Sequence, residues 1–166
     1  MGIDADFSLK ALEEIMNAVP EILIEEIIRA LAILGEECVI RIRDRSGEES
    51  WFDQTHNLRG SIGYAIYNHS QIMIESAFNQ VNSGKDGPVK GRQMVKELAS
   101  KYAQTFALVI VAGMEYADYV EAMKGKDVLA STELWVRSEN MLDKRLEGAK
   151  NRASLRIEKL QKQLGL

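Results

Sequence analysis

Residues 51–67 read WFDQTHNLRGSIGYAIY, and a change of period inside this stretch decides the fold class. From Ile62 onward Ile62, Tyr64 and Ile66 alternate with Gly63, Ala65 and Tyr67. The turn formers 68–71 follow, and Ile72 to Phe78 alternate again. Period two, a turn and period two again predict a β-hairpin over 62–78. Just before it, the run THNLRGS sets Arg59 between an Asx-type turn and the first strand. There a guanidinium can bond backbone carbonyls or a carboxylate in several directions, with Asp53 and Glu121 as candidate acids and a structural pin as the expected role.

On either side of the hairpin the period lengthens. Ser8 is placed to cap a first helix, and Pro20 predicts a restart. A second helix carries Ile24, Ile27, Ile28, Leu31, Leu34, Cys38 and Ile42 at spacings of three and four. It extends through CVIRIR, where the helical phase continues even though the residues also alternate. Residues 44–50 are a polar link and 79–88 a Gly/Asn/Pro loop before another helix. The apolar run 106–112, FALVIVA, reads as a central strand ended by Gly113. Residues 115–123 read as a short helix showing Tyr116, Tyr119, Val120 and Met123 together, and 127–130 as a short strand. From Ser131 or Thr132 a helix runs past Gly148 to Leu164 with a narrow stripe of Leu142, Leu146, Ala149, Ala153, Ile157, Leu160 and Leu164. Such a stripe suits one partner helix, either the N-terminal one or a helix of another subunit. The expected architecture is α+β: a small, mainly antiparallel sheet (hairpin 62–78, strand 106–112, short strand 127–130) packed on long N- and C-terminal helices. Residues 1–166 form one domain in this reading, with 147–166 as a helical extension that either packs on the N-terminal helix or projects.

Bulk properties narrow the function classes. At 166 residues with 46% apolar and 28% charged side chains the chain can hold a real core. The single cysteine, Cys38, rules out an intramolecular disulfide and points to a reducing compartment. The acidic first residues and the lack of a long apolar run predict a soluble chain with no secretory leader, membrane span or lipid anchor. Residues 1–37 hold nine acids against two bases, net −7. Residues 131–166 hold eight bases against five acids, net +3. The alternating signs of the basic end argue against nucleic acid and for pairing of opposite ends, within one chain or between copies.

Candidate chemistry is sparse. His56 and His69 are the only histidines, and the pattern Asp53-x-x-His56 supplies too few ligands for a metal; both are expected in surface turns. Cys38 sits on the apolar side of its helix, which predicts a core thiol with a raised pKa rather than a nucleophile. RGSIGY lacks the Lys-Ser or Lys-Thr and the strand-loop-helix order of a phosphate loop. The tyrosines with Trp51 suit a core or interface better than a base-stacking surface. No cofactor, metal or catalytic residue is expected.

Taken in order, FDQTHNLRGSIGY, AGMEYADYVEAMKGKDVL and a terminal amphipathic helix resemble a family of tailed-phage structural proteins, the minor tail or tail-completion proteins of the head-tail junction. Members carry a helix ending in a Gly-Glu-rich stretch, a pattern like Thr-Gly-Asn-Leu-Arg-Ser-Ser-Ile, a hairpin, and a Tyr-Ala-x-Tyr-Val-Glu segment. The matching positions here are Gly35 and Glu36; Thr55, Asn57, Leu58, Arg59, Ser61 and Ile62; and Tyr116, Ala117, Tyr119, Val120 and Glu121. The likeness spans most of 30–145, while His56 replaces a glycine of the pattern and 147–166 exceeds it. It implies a non-enzymatic virion protein that assembles in the host cytoplasm. Its partners would be other copies of itself and portal, connector or tail-tube proteins. A rival reading is a small hydrolase or nuclease using His56 and His69; a third is a non-phage, protein-binding regulatory module.

Overall fold

The computed structural model describes residues 8–45, 54–123 and 126–166. Trp51, Phe52 and Asp53, and with them the start of the motif stretch, lie outside the described residues. The elements run α1 (Leu9–Arg43), α2 (Asn57–Ser61), β1 (Ile62–Asn68), β2 (Gln71–Glu75), α3 (Asp86–Leu98) with a 3-10 turn at 99–102, β3 (Phe106–Ala112), α4 (Ala117–Glu121), α5 (Val128–Ser138) and α6 (Met141–Gln163). The architecture is α+β, a three-stranded antiparallel sheet with long N- and C-terminal helices. Contacts group the chain into two compact units, residues 1–30 with 143–166, and residues 31–142.

The first unit is a pair of helical segments lying side by side. Ala11, Ile15, Ala149 and Ala153 are buried, whereas Leu9, Met16 and Leu155 stand exposed. Apart from Ile15 the buried apolar side chains here are alanines, with Leu146, Ile157 and Leu160 half-buried beside them. Charge adds to this packing. The carboxylate of Glu26, only 4% exposed, accepts Arg152 Nε at 2.6 Å and Arg156 Nη1 at 3.1 Å, and Glu25 accepts Arg156 Nη2 at 2.7 Å. Paired chiefly with Arg152, Glu26 has its pKa lowered from the ordinary value of 4.5. The acidic and basic ends thus meet within one chain.

In the second unit β1 is the middle strand, in the order β2-β1-β3. Its residues are almost all buried, as a strand covered on both faces requires. On one face Ala65, Tyr67, Phe78, Val95 and Val111 form a cluster with Met94 and Leu98 of α3. Tyr67 donates its hydroxyl to the Val95 carbonyl at 2.8 Å and stacks on Tyr102, with ring centroids 5.1 Å apart. Burial raises the Tyr67 pKa to about 12.

Five sequence expectations are corrected. Residues 127–130 are not a strand: Val128 opens α5, because Val128 and Thr132 share a buried helical face, and the Thr132 hydroxyl donates to the Val128 carbonyl at 2.6 Å. The hairpin ends at Glu75 rather than Phe78. There the Ser76 hydroxyl accepts from Tyr64 N–H at 3.0 Å, and Phe78, at φ 47°, turns its ring into the core. Strand 106–112 is an edge, not the centre, of the sheet. Pro20 lies inside the continuous α1 instead of restarting a helix. The final helix breaks at Asn140, which adopts φ 51°, a left-handed conformation asparagine tolerates better than most residues.

Candidate interaction surface

The two pattern stretches converge. Leu58 and Ile62 from the first, and Ala117, Val120 and Glu121 from the second, line one small cleft with Ala112, Val128 and Leu129. Residues nearly sixty apart in sequence are therefore neighbours around the end of β3. Leu58, Ser61, Ile62 and Ala117 are buried. The Ser61 hydroxyl donates to the Leu58 carbonyl at 2.8 Å, closing the single turn of α2, and the Ser61 carbonyl accepts Gly113 N–H at 3.2 Å.

The polar members act as fasteners. Asn57 Oδ1 accepts the backbone N–H groups of Asp86 at 3.1 Å and Gly87 at 3.3 Å, so it caps α3 from a distant part of the chain. Lys85 at the N-cap position supplies no such bond. Glu121 does the same for α5, accepting Ala130 N–H at 2.8 Å. Arg59 donates to the Arg45 carbonyl at 3.4 Å, one of the backbone bonds expected of it. Its proposed partner Asp53 lies outside the described residues. Thr55 Oγ1 accepts Asn57 N–H at 3.4 Å. His56 takes φ 59°, ψ 6°, the left-handed geometry a glycine would adopt without penalty. Gly35, the other glycine of the pattern, lies against β1: a Cβ there would fall 2.6 Å from the Tyr64 ring. Arg43 reaches the same strand by donating to the Ile62 carbonyl.

What remains outward is aromatic. Tyr116 is 40% and Tyr119 70% exposed, beside the half-exposed Met123, so the short helix held by buried Ala117 presents a contact patch. Sequence spacing foresaw this grouping, although not that Val120 turns away from it into the cleft. Missed entirely was a groove of about 630 Å³ along β3, walled by Leu34, Cys38 and Ile42 of α1 and Leu129, Thr132 and Val136 of α5. Its strand wall includes Leu108 and Ile110 as well as Val109. The Arg41 guanidinium lies 4.9 Å over the Trp135 ring nearby.

The groups weighed for chemistry do not assemble. His56 precedes α2 and His69 sits in the β1–β2 turn, separated by all of β1, roughly 20 Å of extended chain. Cys38 is buried, and burial pushes its thiol up to about 11, the core thiol expected. Among the described residues no cluster of three metal-ligating side chains occurs, and no helix is long and apolar enough to cross a membrane. Set against protein-family models, curated proteins and solved structures, the chain gives no match in any of the three comparisons.

Proposed function

We propose that this chain is a phage or prophage virion assembly protein of the head-tail junction, working by protein-protein binding as an oligomeric ring. The observation that carries the reading is the convergence of Leu58 and Ile62 with Ala117, Val120 and Glu121 around one cleft. Two short stretches that resemble one family in order and spacing also form one structural module. That module holds Tyr116 and Tyr119 outward, and exposed aromatics are favoured anchors at protein interfaces. Portal, connector or tail-tube proteins are the partners the reading assigns to this patch.

The test is deletion of the gene from its phage, followed by electron microscopy of the lysate. Filled heads and free tails that fail to join, restored by the wild-type gene but not by a Tyr116→Ala/Tyr119→Ala form that folds normally, are expected. Intact infectious particles without the gene overturn the reading. Mass spectrometry of purified wild-type virions must also find the chain.

A further inference from the structure

The sheet has two edges of different character. β2 is five residues long, ends in exposed Gln71 and Glu75, and pairs with β1 through an irregular register between Ile66 and Tyr67. Shortness, polar ends and a bulge are the usual ways of blunting an edge. β3 has none of these three, and among the described residues α5, which walls the groove beside it, makes no backbone bond to it. The strand is seven residues of FALVIVA, without charge or proline, in unbroken register with β1.

The backbone of β3 shows which groups are open. Gly113 N–H bonds Ser61 O and His69 N–H bonds Thr105 O, so the odd-numbered residues of this ladder point their backbone groups at β1. By the alternation of an antiparallel ladder, Phe106, Leu108, Ile110 and Ala112 direct theirs the other way. Among the described residues no hydrogen bond is found on that outer side. The groove along β3 is lined by Leu108 and Ile110, even-numbered, and by Val109, which packs on the opposite face, so it follows this edge.

We infer that β3 is a strand-pairing edge whose occupant is β3 of a second copy, antiparallel and centred on Val109. The sequence is self-complementary in that register: Phe106 meets Ala112, Ala107 meets Val111, and Leu108 meets Ile110, large against small or like against like in size. The bonded pairs are then 106 with 112 and 108 with 110, both between outward-facing residues, so every open group finds a partner. A register shifted by a single residue would pair outward groups with inward ones. Charge agrees. Exposed Lys101 precedes the strand and exposed Asp118 follows it, so an antiparallel copy sets opposite signs together at both ends. An isologous contact of this kind closes at two copies, which makes it an assembly state separate from the ring proposed above. It rests on the sheet alone and holds whether or not the chain is a virion component.

In the register centred on Val109 its two copies form a non-hydrogen-bonded pair, with Cα atoms about 4.5 Å apart, close enough for a disulfide. The experiment uses the full chain with Cys38→Ala, adding Val109→Cys in one sample and Ser138→Cys, exposed at the end of α5, in another. Under mild oxidation the Val109→Cys chain becomes a disulfide dimer and the Ser138→Cys chain does not. Light scattering of the wild type gives twice the 18.7 kDa chain mass, returning to 18.7 kDa for Ile110→Pro, which removes an outward N–H and leaves the β1 ladder whole. If Ile110→Pro fails to fold, the cross-link decides. A wild type of 18.7 kDa at every concentration, or a dimer that does not cross-link through position 109, overturns the inference.

Discussion

The helix pair and the sheet unit are held by opposite means. In the sheet unit, Tyr67, Phe78, Val95 and their neighbours fill one side of β1, and the strand lies so close to its surroundings that a side chain is excluded at Gly63. In the pair, alanines and Ile15 are buried and one buried carboxylate holds two arginines. Close apolar packing is insensitive to pH and salt, whereas a charge-held seam responds to both. Two units of one chain therefore differ in the conditions that loosen them.

The largest expected effect comes from breaking the close packing. Gly63→Ala would place a Cβ 2.2 Å from Ser76 Oγ and 2.3 Å from the Phe78 ring, both themselves buried. Overpacking of this kind costs about 3 kcal/mol. Urea unfolding should show the loss equally at pH 4 and pH 7, and a variant as stable as the wild type would refute the packing account.

Next in size is the carboxylate of the helix pair. Glu26→Gln removes the charge facing Arg152 and Arg156, at a cost of about 1–2 kcal/mol once the half-exposed arginines are allowed for. Its pH dependence has a definite sign. Because the folded pKa of Glu26 lies below 4.5, its contribution is full above that value and disappears as pH falls through the folded pKa. Protection factors of the α6 amides, exchange taken relative to the unstructured rate at each pH, should fall across this window in the wild type and stay flat in Glu26→Gln. Parallel curves for the two proteins would show that the seam is not held by this charge.

The smallest effect falls on Asn57. Replacing it with Ala frees the N–H groups of Asp86 and Gly87 and should cost about 1 kcal/mol, the usual value of a helix cap. Exchange at those two amides reports it directly. Unchanged protection there would mean that the cap is redundant.

How much of this was legible in the sequence depends on how local the cause is. The strand 62–68 and the capping of α1 by Ser8, which accepts Ala11 N–H at 3.4 Å, follow from residues within a few positions of one another. So does the burial of Cys38. Residues 127–130 were misread because four residues are too short to separate a helical face from an alternating one. Asn140 breaks a helix through a backbone angle that asparagine permits but does not announce. For β3, a continuous apolar run reports that both faces meet apolar neighbours. It carries no information on whether the backbone beside it is paired. The cap that Asn57 gives to α3 acts across 29 and 30 residues, beyond the reach of any local pattern.

That distant cap has a kinetic consequence. A helix capped by its own neighbouring residue can nucleate alone, but the first turn of α3 is completed only after the THNLRGS segment has docked. The same holds for α5, whose Ala130 amide waits for Glu121. Closing loops before helix ends are satisfied ties local order to non-local contact, which slows folding and makes it cooperative. A nascent chain released before the motif has docked would carry α3 with a frayed first turn, so the short pattern sets the order in which this unit takes shape.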